Sequence, residues 1–172
     1  MKRCAVVVLA GILAILSVAE ARGQPPDETI VYRNLGNWFN ISWVAATIDR
    51  QRFLFHARQL SSDFSRMIAD KRLIANGVVS REIIDRLETN LHNSSDKVTN
   101  IGIALGQQEE GRRLSSDLGN AFAYKHSWLE RLRSGNPILT RNVPNEASRS
   151  ADALEEANNK LLILIGLVEG RR

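Results

Sequence analysis

From Phe39 to Ile74 the chain sets one row of residues at steps of three and four: Phe39, Trp43, Ala46, Arg50, Phe53, Ala57, Leu60, Phe64, Met67, Lys71 and Ile74. Only Arg50 and Lys71 break its apolar character. A row of that period lies along one face of a helix, whereas the faces of a strand alternate every second residue. Such a stripe has to be buried against other elements, so it commits the chain to helix packing. Asn76-Gly77 supplies a stop, because both residues tolerate left-handed backbone angles.

Three further segments repeat the pattern. Ser80 is placed to cap a second helix, with Glu82 in its first turn and a stripe of Ile84, Leu87, Leu91, Ser94, Val98, Ile101 and Leu105. Residues 106–113 hold no apolar side chain and two glycines, and the stripe slips in phase by one residue across them. That predicts a turn, although helix formers such as Gln107 to Glu110 would also suit one continuous long helix. Leu114, Leu118, Ala121, Lys125, Trp128 and Leu132 form a third stripe, stopped by Ser134-Gly135-Asn136-Pro137. A loop then runs to Pro144, and Asn145 is placed to cap a fourth helix through Ala147, Ala151, Leu154, Leu161, Ile165 and Val168. Its end, Leu161 to Val168, is apolar apart from Gly166, too short to cross a membrane, and reads as a deeply buried helix end. The expected fold is all-α, an antiparallel bundle of about four helices with short loops over residues 37–172.

The N-terminus carries a different signature. Lys2 and Arg3 precede the apolar run Ala5 to Val18, and Ala19-Glu20-Ala21 is a small-x-small cleavage site. Residues 1–21 therefore read as a signal peptide, 22–36 as an N-terminal extension, and the protein as secreted, extracellular or periplasmic. The only cysteine, Cys4, leaves with that segment, so 151 residues enter an oxidising compartment without disulfides and depend on packing. The whole chain has 23 basic and 19 acidic residues; removing Lys2, Arg3 and Glu20 leaves 21 against 18, a net +3. These charges are scattered, which excludes the clustered patch of a nucleic-acid binder. No transmembrane segment is expected in the mature chain.

Catalytic signatures are absent: there is no His-Glu-x-x-His, no Gly-x-Ser-x-Gly, no Cys-x-x-Cys and no phosphate loop. The expectation is a non-enzymatic protein without a cofactor. The strongest functional signal is that the first helix has two apolar faces in its N-terminal half. Trp38, Ile41, Ala45, Ile48 and Phe55 fall opposite the core stripe and need a cover. Residues Asp27 to Leu35 folding back, a protein partner or second copy, and a lipid or small apolar ligand are the three covers to weigh. His56, His92 and His126 fall one on each of the first three helices, at heights that an antiparallel bundle brings level. They are weak metal candidates, since each flanks its stripe. Arg50 and Lys125 stand in core rows, so each has to reach solvent or an acid. Asn40-Ile41-Ser42 and Asn93-Ser94-Ser95 are glycosylation sequons, a number that composition alone accounts for.

Overall fold

A computed structural model of the protein describes residues 27–40, 43–123 and 127–170, except for the side chains of Ala45 and Leu139. Residues 1–26, which include the expected signal segment, and Ile41, Lys125 and His126 lie outside the described residues. The elements are α1 (Glu28–Trp38), α2 (Trp43–Ala46), α3 (Arg50–Ala75), α4 (Arg81–Ala104), α5 (Gln108–Ala123), α6 (Trp128–Ser134), α7 (Pro137–Thr140) and α8 (Val143–Glu169). Among the described residues there is no strand, and the all-α class holds.

Five long helices carry the core, where the stripes alone suggested about four. The extra one is α1. Asp27 caps it by accepting a hydrogen bond from the Thr29 N–H at 2.8 Å. Its Val31, Tyr32 and Leu35 are completely buried. The segment Asp27 to Leu35 therefore does fold inward, but as a bundle helix and not as a lid over the second face of α3. The long first helix is also interrupted. α1 ends at Phe39, and α3 restarts at Asp49, whose carboxylate accepts from the Arg52 N–H at 2.9 Å. The Ile48 and Asp49 N–H groups donate instead to the Ala104 carbonyl at 2.9 and 3.1 Å, tying this linker to the end of α4. The row from Phe39 stays in step across both breaks, which hid them.

Ser80 caps α4 as expected, and Gly77 and Gly106 take positive φ of 82° and 69° at the ends of α3 and α4. At both ends the two following N–H groups bond back to carbonyls of the last turn: Val78 to Leu73 and Gly77 to Ile74, Gln107 to Gly102 and Gly106 to Ile103. These paired bonds satisfy carbonyls that the helix itself leaves open. The turn after α4 is thus real and shorter than residues 106–113, since α5 starts at Gln108. The third stripe divides into α5 and α6, with Ser127 capping α6 through the Glu130 N–H. Pro144 lies inside the first turn of α8, where a missing N–H costs nothing, so α8 begins two residues before Asn145.

The helices form a ring in the order α1, α8, α3, α4, α5. α3 and α4 run antiparallel, tied by Asp70–Arg86 and Asp63–Lys97, each at 2.5 Å. α4 and α5 cross where Gly102 meets Gly111: a Cβ on Gly102 would stand 2.8 Å from the Gly111 Cα. α3 and α8 are antiparallel as well, through Arg58–Glu169, Ser65–Asn158 and Lys71–Ser150. α1 packs against α8 and α5, close to α8 where Gly36 meets Ala157. α5 and α8 make almost no direct contact, so α1 fills the channel between them.

Candidate functional site

The predicted apolar set does not form one surface. Trp38 is buried on α1, next to Phe39 at a ring separation of 5.6 Å. Ile48 is 78% exposed and Phe55 58% exposed, while Ile41 and the Ala45 side chain fall outside the described residues. Ile48 and Phe55 lie at the end of the bundle where α3 begins and α8 finishes. There the structure adds three residues that the sequence placed in the core: Leu162, Ile163 and Leu167 of α8 are exposed. No helix among the described residues is long and apolar enough to cross a membrane.

The histidines separate in the same way. His56 has Nδ1 buried without a hydrogen-bond partner and meets Phe55 edge-on at 5.1 Å. Burial, with the Arg52 and Lys97 charges nearby, holds its pKa below the ordinary 6.5. His92 is exposed on α4, and His126 lies outside the described residues. Among the described residues no three His, Cys, Asp or Glu side chains gather to hold a metal.

The most constrained polar site lies at the opposite end, around Lys71. This lysine follows Met67 and precedes Ile74 in the core row of α3, so the helix delivers its ammonium into the interior, where it is 0% exposed. It pairs with the Glu28 carboxylate, in the first turn of α1. Lys71 Nζ also donates to Ser150 Oγ of α8 at 2.7 Å, and Ser150 in turn donates to Glu28 Oε1 at 2.6 Å. Trp128 Nε1–H of α6 donates to Glu28 Oε2. Three ring faces surround the ammonium: Tyr32 at 4.9 Å, Phe122 at 5.0 Å and Trp128 at 5.1 Å. Burial drives the Lys71 pKa well below its usual 10.5, while the carboxylate and the rings favour the charge. Tyr32 is held well above 10.0 by burial, and its hydroxyl has no partner.

Both oxygens of one carboxylate are therefore engaged by donors on three other elements. A neutral lysine beside a serine can act as the base that activates the serine hydroxyl as a nucleophile. Here, however, the serine is committed to Glu28 and the cluster is closed to solvent, so its geometry holds an anion. The sequence marked Lys71 only as an interruption of a stripe and Trp128 only as core; Glu28, Tyr32, Phe122 and Ser150 went unnoticed as site residues. The readable signal was a capped turn, Asp27-Glu28, ahead of Val31, Leu35 and Trp38 at helical spacing. In comparisons with protein families, curated sequences and solved structures, nothing matches this chain.

Arg50, by contrast, is exposed at the first turn of α3 and needs no buried acid. The two row-breaking cations thus end in opposite environments, because α3 starts at Arg50 while Lys71 lies beneath α1.

Proposed function

We propose that this is a non-catalytic, secreted helical-bundle protein that acts by binding a protein chain, at the end of the bundle where α3 begins and α8 finishes. The observation that carries the reading is the last part of α8. Leu161, Leu164, Ile165 and Val168 fill the core, while Leu162, Ile163 and Leu167 of the same stretch face outward. A helix that is apolar on all sides calls for a cover on its outer face. Gly166 adds to this: nothing stands within 4 Å of where its Cβ would be, so another helix can approach the backbone closely. Ile48 and Phe55 extend the apolar character of the same end. The secretion part of the reading rests on Lys2-Arg3, the run Ala5 to Val18 and Ala19-Glu20-Ala21.

The test is native mass spectrometry of the protein recovered from the medium of cells expressing it, wild type beside Ile163→Glu/Leu167→Glu. Both positions face outward, so the substitutions leave the core intact. Wild type is expected in a complex, with a second copy or with another protein, and the variant as a free monomer. A wild-type monomer, or a variant that keeps the complex, overturns the reading. Ile138→Glu, on the separate short helix α7, is the exposed control and is expected to change nothing.

A further inference from the structure

α1 brings two things to the interior, an apolar face of Val31, Tyr32 and Leu35 and the carboxylate of Glu28. Everything that receives them belongs to other elements. Lys71 of α3, Ser150 of α8 and Trp128 of α6 supply the three donors, and α5 and α8 wall the channel with almost no direct contact between them. Removing α1 would leave a carboxylate-binding pocket with one ammonium and two neutral donors at the head of an apolar channel.

We infer that this pocket is a binding site for the carboxylate of a single-chain amphiphile of the fatty-acid class, and that α1 is its built-in occupant. The single cation matches a monoanion, and donors on both oxygens match a carboxylate in particular. α1, with its 11 residues, spans about 16 Å, comparable to a medium-length acyl chain. The head group takes the place of Glu28, and the chain takes the place of Val31, Tyr32 and Leu35. A ligand that supplies its own carboxylate keeps Lys71 paired throughout the exchange, which a neutral alcohol does not.

α1 is also suited to leaving. Two of its side chains have buried polar atoms without hydrogen-bond partners, the Tyr32 hydroxyl and Trp38 Nε1. Both regain water when the helix moves out, which offsets part of the apolar area it gives up. Among the described residues, the short helix α2 stands between it and α3. The proposal involves the channel end and is independent of the apolar end of α8.

The experiment uses the mature full chain with dodecanoate below its micelle concentration, beside dodecanol and dodecyltrimethylammonium. Binding is read by tryptophan emission and by hydrogen exchange resolved along the chain. Dodecanoate is expected to bind saturably at one per chain and to speed exchange in residues 28–38 while residues 53–74 stay protected; the other two amphiphiles are expected to do neither. Glu28→Gln weakens the internal competitor and is expected to tighten dodecanoate binding by roughly tenfold, since apparent affinity rises with the fraction of open channel. Leu35→Ala loosens α1 without touching the donors and is expected to tighten it too, which keeps the test available should Glu28→Gln not fold. Lys71→Met is expected to erase the preference for dodecanoate over dodecanol. Absent binding, binding with no change in α1 exchange, or equal response to all three amphiphiles overturns the proposal.

Discussion

Breaking the Glu28–Lys71 pair has consequences that can be worked out in size and in sign. In Glu28→Gln the lysine keeps its burial and loses its counter-charge. Separating a buried pair costs about 3–5 kcal/mol, against a total stability on the order of 5–15 kcal/mol. The lysine can limit that loss by giving up its proton, and the limit is set by linkage. Starting from the ordinary 10.5, deprotonation at pH 7 costs about 5 kcal/mol and at pH 9 about 2 kcal/mol, at about 1.4 kcal/mol per pH unit. Because burial lowers the folded pKa, the unfolded chain holds a proton that the folded chain does not, between that lowered value and 10.5. Stability of Glu28→Gln therefore climbs as pH rises through that window and levels off above it. Lys71→Met leaves a buried carboxylate without its counter-charge instead. The double variant removes both charges and is expected to be more stable than either single one. Urea unfolding followed by far-UV circular dichroism, at several pH values for all four proteins, measures this. Single variants that each lose under about 1 kcal/mol and add up in the double would refute a buried, coupled pair.

Three more expectations test other parts of the structure. Gly102→Ala puts a methyl 2.8 Å from the Gly111 Cα and 2.9 Å from the Gln107 carbonyl, so overpacking of about 1–3 kcal/mol outweighs the helix propensity it gains, whereas Gly119→Ala, with nothing within 4 Å, gains about 1 kcal/mol. Thermal unfolding is expected to separate the two in opposite directions from wild type. Tyr32→Phe removes a hydroxyl without a partner and is expected to cost less than about 1 kcal/mol or to stabilise. Because the folded pKa of Tyr32 is raised, wild type also loses stability as pH rises past 10.0, and the variant is expected to lose less in alkaline urea titrations. His56, lowered from 6.5 by burial and by Arg52 and Lys97, contributes stability above pH 6.5 that disappears as the pH falls below it. In His56→Gln the acid limb of the stability profile is expected to be flatter, and an unchanged limb would assign it to other groups.

Where a feature depends on neighbouring residues, it was legible before the structure. Ser80 as a cap, Asn76-Gly77 and Gly170 as stops, and the turn after Leu105 all follow from local backbone chemistry, and the structure contains each of them. α1 was harder, because its stripe of Val31, Leu35 and Trp38 is short and runs directly into the longer row starting at Phe39. A period that continues in step conceals a break, and nothing local in Ile48-Asp49 reveals that their N–H groups turn toward Ala104. The Lys71 site was illegible for another reason. Its partners come from residues 28, 32, 122, 128 and 150, and only the closed ring brings them to one ammonium. A lysine within an apolar row looks the same on a surface-skirting helix as on a buried one until its carboxylate is placed. The exposed apolar end was half visible: Ile48 and Phe55 were identified, and Leu162, Ile163 and Leu167 were absorbed into a run that looked like core throughout.

The position of α1 in the ring also bears on how the chain is made. Glu28 meets Ser150 across 122 residues, so α1 docks against a helix that is synthesised well after it. At about 5–20 residues per second, roughly ten seconds separate the two during translation. Over that interval Val31, Tyr32 and Leu35 have no channel to enter, and α3, α4 and α5 can assemble only an open ring. During that time α1 is an amphipathic helix without its cover on every nascent copy. A chain cut short before α8 keeps α1 permanently exposed, so completion of α8 is read out at α1.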